Sequence, residues 1–222
     1  MIIPVWSVAA ALLFASSNAF AEPFMVLGKT IDLTPPAGYC ALGNTSFEQQ
    51  LFTTFKARTE AAGHLLQVAV PCNDLERAKA GTITQFPRSA SVMVVKRRGQ
   101  LTLDPRSRAD FVKSLGSPTP IDVAVVNKRF RAALAGADFS GSLSAMTPLG
   151  SDGMAAYWSS LATVQLDGNA PQRVASIIAA VLVNGLPLSV QVSEAAGATD
   201  GPAPASVAQQ YVKVIVNRND LQ

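Results

Sequence analysis

Histidine is nearly missing from this chain of 222 residues, with His64 the single one, and cysteine occurs only at Cys40 and Cys72. Both shortages exclude chemistry. A zinc site needs three or four converging Cys, His or carboxylate ligands. A Ser-His-Asp arrangement needs a histidine oriented by a third group. His64 follows Gly63 at the expected end of a helix, where a solvated imidazole is the plain reading. No Gly-x-Ser-x-Gly elbow precedes a helix, and Ser140-Gly141-Ser142 does not supply one. No P-loop or Gly-x-Gly-x-x-Gly opens a helix, so nothing supports nucleotide binding. Asp152, Asp167 and Asp200 fall in separate loops instead of the cluster a calcium site requires. No metal and no cofactor is expected. An unbroken membrane-spanning run is also missing after the N-terminus. The apolar stretch from Val174 to Val192 is about long enough, but Asn184, Gly185, Pro187 and Gln191 interrupt it.

What is present begins with an address. Met1 to Ala21 has an apolar core from Val5 to Phe14 and ends in Ala19-Phe20-Ala21, the pattern of a secretory signal peptide cleaved after Ala21. The n-region carries no Lys or Arg, so the α-amino group is its only positive charge. Residue 22 is Glu22, not Cys, so lipidation is not suggested. The remaining residues, 22 to 222, suffice for one domain with a real core. In an exported chain, two cysteines point to a disulfide between Cys40 and Cys72. Closing a loop of about thirty residues contributes roughly 3–4 kcal/mol in the chain-entropy account.

The net charge of +3 hides a segregation. Met1 to Glu76 holds three basic and six acidic residues, and so does Ala132 to Gln222, whereas Arg77 to Arg131 holds twelve basic against three acidic. Such a basic third can make one positive face.

The stretch from Arg173 to Ala195 organises the chain. Two apolar runs, Val174 to Val183 and Leu186 to Val192, are separated by Asn184-Gly185, which accepts the positive φ of a type I′ turn. After the turn Leu186, Leu188, Val190 and Val192 point one way, and Pro187, Ser189 and Gln191 the other. Before it the run is almost wholly apolar, which suits a strand covered on both faces.

The other elements follow in order. Met25 to Leu33 reads as a strand. Thr45 and Ser46 stand three residues before Glu48 and Gln49, giving overlapping capping boxes for a helix that Gly63 stops. Leu65 to Val70 is a strand, and Asn73 to Gly81 a short helix. Thr82 to Phe86 is a short extended piece. Ala90 to Val95 is a strand with Leu101 and Leu103 on its return. Asp104-Pro105 opens a helix ending before Gly116, and Pro120 to Ala135 is another. Phe139 to Leu149 alternates weakly. Met154 to Leu166 is a strand that Asp167-Gly168-Asn169 turns back into the hairpin. Ser206 to Asn219 is a closing helix. Tightly joined strands with irregularly placed helices predict an α+β fold: a mainly antiparallel sheet flanked by helices, a helix–sheet–helix sandwich.

This order resembles the PsbP-like fold, in an opening strand that runs into Leu33-Thr34-Pro35-Pro36-Ala37-Gly38-Tyr39 and in a terminal meander capped by the helix Ser206 to Asn219. The resemblance covers the two ends of the chain and fits the middle poorly. It implies an accessory or binding module and carries over no catalytic residue.

The basic third is the sharpest functional feature. Lys96, Arg97 and Arg98 lie at a strand end near Arg106 and Arg108, and Lys128, Arg129 and Arg131 add a second cluster. These are the expected anionic-partner residues. Solvated charge aiding solubility is the plain alternative. The partner classes are an acidic envelope protein, anionic lipid or a cell-wall polymer. Nucleic acid is not expected, given export and few aromatics among the basic residues. The sequence thus reads as a periplasmic or secreted, non-enzymatic envelope protein. The competing reading is a secreted hydrolase whose paired carboxylates converge from distant positions.

Overall fold

The structure is a computed structural model, and it describes residues 23–60, 62–115, 123–124, 127–128, 139–166, 170–198 and 201–220. Nine strands and four named helices are assigned among these residues. β1 (Phe24–Val26) and β2 (Lys29–Ile31) form a small hairpin. β3 (Tyr39–Ala41) is followed by α1 (Ser46–Thr59), β4 (Gly63–Pro71), α2 (Cys72–Lys79) and β5 (Arg88–Val95). Then come α3 (Arg108–Leu115), β6 (Phe139–Ser151), β7 (Ala155–Leu166), β8 (Gln172–Val183), β9 (Leu186–Ala195) and α4 (Pro204–Asn219). The main sheet has seven strands in the order β3-β4-β5-β9-β8-β7-β6, every pairing antiparallel. The α+β sandwich with a mainly antiparallel sheet is therefore what the chain forms.

β9 is the middle strand, because the expected hairpin folds about Asn184-Gly185 with φ of 51° and 78°. Leu186, Leu188, Val190 and Val192 lie together in the larger core with Val181, Val183 and Ala179 of β8 and Val92 and Val94 of β5. α4 covers this face with Val207, Ala208, Tyr211, Val212, Ile215 and Val216, and the β1–β2 hairpin adds Val26 and Ile31. The opposite face carries two smaller cores. Leu65, Val68 and Val70 of β4 pack with Leu51, Phe52 and Phe55 of α1 and Leu75 of α2. Leu182 of β8 packs with Phe111 and Val112 of α3. Between them lies a polar seam, in which Ser176 and Ser193 are hydrogen-bonded at 2.8 Å and the Gln191 amide donates to both. β8 is buried on both faces only near the turn, at Val181, Leu182 and Val183.

Several boundaries differ from those the sequence predicts. Met25 to Leu33 is a hairpin and not one strand, since Leu27 and Gly28 adopt φ of 50° and 72° and turn the chain. Thr82 to Phe86, Leu101 and Leu103 join no strand; the return from β5 stops at a single bridge, Arg97 to Gln100. α1 ends at Thr59, and Gly63 opens β4 instead of stopping the helix. A Cβ on Gly63 would lie 2.6 Å from the Val94 carbonyl oxygen, so close strand approach explains this glycine. His64 accordingly sits on β4, opposite Val94, and not at a helix end. α3 starts at Arg108, not at Asp104: the Ser107 hydroxyl accepts from the Asp110 amide at 3.1 Å while the Asp104 carboxylate is taken by arginines. α4 begins two residues early because Pro204 suits a first turn. The signal peptide Met1 to Ala21, most of the helix over Pro120 to Ala135, and the Asp167-Gly168-Asn169 turn lie outside the described residues.

The expected Thr45 cap on α1 forms, but the Glu48 carboxylate reaches past the Thr45 amide instead of closing the box on it. The Glu48 amide donates to Thr45 Oγ1, and the Glu48 carboxylate accepts from the amides of Gly43 and Asn44. The Cys40–Cys72 disulfide forms too, with a Cα separation of 4.9 Å. β3 pairs antiparallel with β4, so Cys40 lies beside Val70 and the chain enters α2 two residues later at Cys72.

Candidate functional site

The basic residues of 96–108 gather at one end of the sheet, where β5 leaves and the β8–β9 turn arrives. Arg98 and Gly99 adopt φ of 52° and 81°, which folds the chain back so that Arg97 and Gln100 pair. The returning segment is held by the Asp104 amide, which donates to the Gly185 carbonyl at 2.7 Å. That contact places the Asp104 carboxylate, only 2% exposed, between two arginines. Arg97 reaches it at 2.8 Å and Arg106 at 2.6 Å. The Arg106 guanidinium, its backbone amide and Arg97 together hold the Asp104 carboxyl well below the usual carboxylate range, against the opposing effect of burial. The Arg106 guanidinium also lies 5.4 Å from the centre of the Phe111 ring.

The other predicted residues that the structure describes each have a definite place. Lys96 pairs with Glu60 at 2.7 Å. Arg108 donates to the Leu182 carbonyl and to Asp220, tying α3 to the C-terminus of α4. Arg98 stands exposed at the tip of its turn, and among the described residues no carboxylate lies within ion-pair distance of it. Lys128 is exposed beside Asn127, whose amide bridges to Leu143 of β6, and it does not share Asp104. Arg129 and Arg131 lie outside the described residues. The structure thus brings five cations, Lys96, Arg97, Arg98, Arg106 and Arg108, to one end with three carboxylates, Glu60, Asp104 and Asp220, leaving a local excess of positive charge.

The described carboxylates are each engaged. Asp32, Glu48, Glu60, Asp74, Glu76, Asp104, Glu194 and Asp220 face lysines or arginines; Asp110 meets the Ser107 hydroxyl and Asp152 the Tyr157 hydroxyl. Burial, and then this bond, push the Tyr157 phenol up. Among the described residues no three His, Cys, Asp or Glu side chains group to hold a metal ion. No described helix is long and apolar enough to cross a membrane.

A site that the sequence reading missed lies at the opposite end of β5. Arg88, the first residue of that strand, pairs across the ladder with Glu194 of β9. Its side chain is 9% exposed and lines a cavity of about 610 Å³ with Tyr39, Asp74, Arg77 and Gly201. The signal available was an arginine two residues before the expected strand Ala90 to Val95, whose residues are all small or apolar. Only the fold shows that it faces inward.

The chain resembles the PsbP-like fold. The solution structure of cyanobacterial PsbP (CyanoP) from Synechocystis sp. PCC 6803 aligns over 88% of this chain and 89% of that one, at 11% identity and a TM-score of 0.37. No protein-family model matches the chain, and no curated protein matches it in sequence. The strand order and helix placement of this chain define its α+β fold by themselves.

Proposed function

We propose that the chain is an exported, non-enzymatic accessory or binding module of the cell envelope, periplasmic or secreted, that engages an anionic partner through its basic end. The observation that carries this reading is the surplus of exposed cations around the buried Asp104 carboxylate: Arg97 and Arg106 share one counter-charge, and Arg98 projects beside them. A guanidinium that shares its carboxylate keeps donors for phosphate or carboxylate groups of an acidic protein face, a lipid headgroup or a wall polymer. The second cluster contributes through Lys128, Arg129 and Arg131. The disulfide supports the export reading, because such bridges persist in oxidising compartments.

The test is co-sedimentation of the mature protein with anionic and neutral vesicles and with purified wall polymer. Binding to an anionic surface should weaken steeply between low and high salt, since exposed charges are screened over about 10 Å at 0.1 M. It should weaken further in an Arg97→Ala, Arg98→Ala double variant. Equal retention at both salt concentrations, or on neutral vesicles, removes the electrostatic reading. Mass spectrometry of the exported protein should find Glu22 as the first residue.

A further inference from the structure

The geometry points to the cavity around Arg88 as a second binding site, one for a carboxylate group, in which Arg88 supplies the free end of its guanidinium and Tyr39 its hydroxyl. This site lies at the far end of β5 from the basic cluster, roughly 25 Å away along an eight-residue strand. It is independent of the proposed function above.

The argument starts from unspent donors. A guanidinium carries five N–H groups. In Arg88 the Nε and Nη2 atoms both donate to the same oxygen, Oε1 of Glu194, at 3.2 and 2.8 Å. Among the described residues Nη1 has no hydrogen-bond partner. A buried cation with three of its five donors idle is costly unless something fills them. No side-chain polar atom sealed from solvent is left without a partner among the described residues, so Nη1, packed on one side by Gly201, is still reached by solvent, and Arg88 lines the cavity. The end formed by Nη1 and Nη2 is planar and matches the two oxygens of a carboxylate.

Around the cavity two guanidiniums, Arg88 and Arg77, stand against two carboxylates, Glu194 and Asp74, so a bound acid is held by directed N–H and O–H donors and not by net charge. Tyr39 lies within electrostatic range of Arg88, Glu194 and Asp74. Burial, the largest influence, raises its phenol above the ordinary value despite Arg88, which keeps the hydroxyl protonated and able to donate. That hydroxyl has no hydrogen-bond partner among the described residues. Arg77 adds a second guanidinium to the lining, shared with Asp74 at 3.2 Å. One wall is bare backbone: a Cβ on Gly201 would lie 1.9 Å from Arg88 Nη1, so only glycine allows that loop to lie flush on the guanidinium. The volume of about 610 Å³ exceeds what acetate needs and admits a short chain behind the carboxylate.

Two sources could present this group, a free small acid or the C-terminus of a peptide. The test is an NMR titration of the ¹⁵N-labelled mature protein with acetate, trialanine and trialanine amide. Acetate and trialanine should give saturable shifts at Arg88 Nε and the Gly197 and Gly201 amides, with the amide at least ten-fold weaker. Trialanine binding ten-fold or more tighter than acetate assigns the site to a peptide terminus; similar affinities assign it to a small acid. Tyr39→Phe keeps the ring and should weaken the acid probes several-fold with the rest of the spectrum unchanged. Arg88→Lys should abolish binding if it folds; if it does not fold, the Tyr39→Phe variant and the amide control carry the test. The inference is overturned if neither acid gives saturable shifts there, if the amide binds as well as the acid, or if Tyr39→Phe binds unchanged.

Discussion

Asp104 shows how one side chain decides what a charged segment does. Its carboxylate is 2% exposed and accepts from Arg97, from the Arg106 guanidinium and from the Arg106 amide. An acid held below its usual value binds fewer protons folded than unfolded. Its contribution to stability is therefore complete above the unfolded value near 3.9 and fades as pH falls toward the lowered folded one. Asp220, held low by Arg108, acts in the same direction, as does Glu48, where Lys79 and two amides outweigh burial. Urea midpoints should thus stay level down to about pH 5 and drop below about pH 4. Asp104→Asn should cost about 2 kcal/mol at neutral pH and flatten that acid slope. A variant with an unchanged slope would show that the arginines do not depend on this carboxylate. Gly63 makes the steric counterpart. Gly63→Ala should destabilise by about 1–3 kcal/mol, because the added methyl meets the Val94 carbonyl of the neighbouring strand and backbone cannot yield as a side chain does. Equilibrium unfolding measures it directly.

Among the elements, β3 and α2 are joined covalently and α4 by polar contacts. Cys40 and Cys72 close a loop of 32 residues that contains the whole of α1 and β4. Cys40→Ser with Cys72→Ser should lower the unfolding free energy by roughly 3–4 kcal/mol without altering the strand order, and denaturant titration with and without reductant checks it. α4 is pinned at two points. Tyr211 donates to Gln67, whose own amide reaches the Leu33 carbonyl, and Asn219 accepts from the Asp32 amide while donating to the Asp32 and Ile215 carbonyls. Tyr211→Phe should cost about 1–3 kcal/mol, since it leaves the buried Gln67 oxygen without a donor. At this scale the sequence was legible where a local rule acts alone. Asn184-Gly185 named the central turn, Thr45 with Glu48 named the cap of α1, and the 186–192 alternation named the face of β9. It misled where distant partners compete. Asp104 looked like a helix cap until two arginines claimed it, and Gly63 looked like a stop until β5 lay beside it. Phe47 and Phe52 lie on the same helix, yet Phe47 stands 39% exposed while Phe52 packs inward.

Over the whole molecule, stability should rise toward the middle of the sheet. β9 has β5 on one side and β8 on the other, and its core residues are fully enclosed under α4. Native-state hydrogen exchange should be slowest at Val190 and Leu188 and fastest along β6, an edge strand with Pro148 and two bulges that interrupt its ladder. Comparable protection in β6 would overturn this gradient. The class of fold, the central hairpin, the pairing of the two cysteines and the segregation of charge are written in the linear order of residues. Periodicity, turn chemistry and composition act through neighbours in the chain, so they can be read there. Tertiary structure alone decided which charges are spent. Lys96, Arg97, Arg106 and Arg108 meet acids brought from α1, the loop before α3 and the end of α4, while Arg88, one cation among twelve in the basic third, is turned inward with donors to spare. A charge acts over a few ångströms of space, and only the folded chain sets which groups share that space.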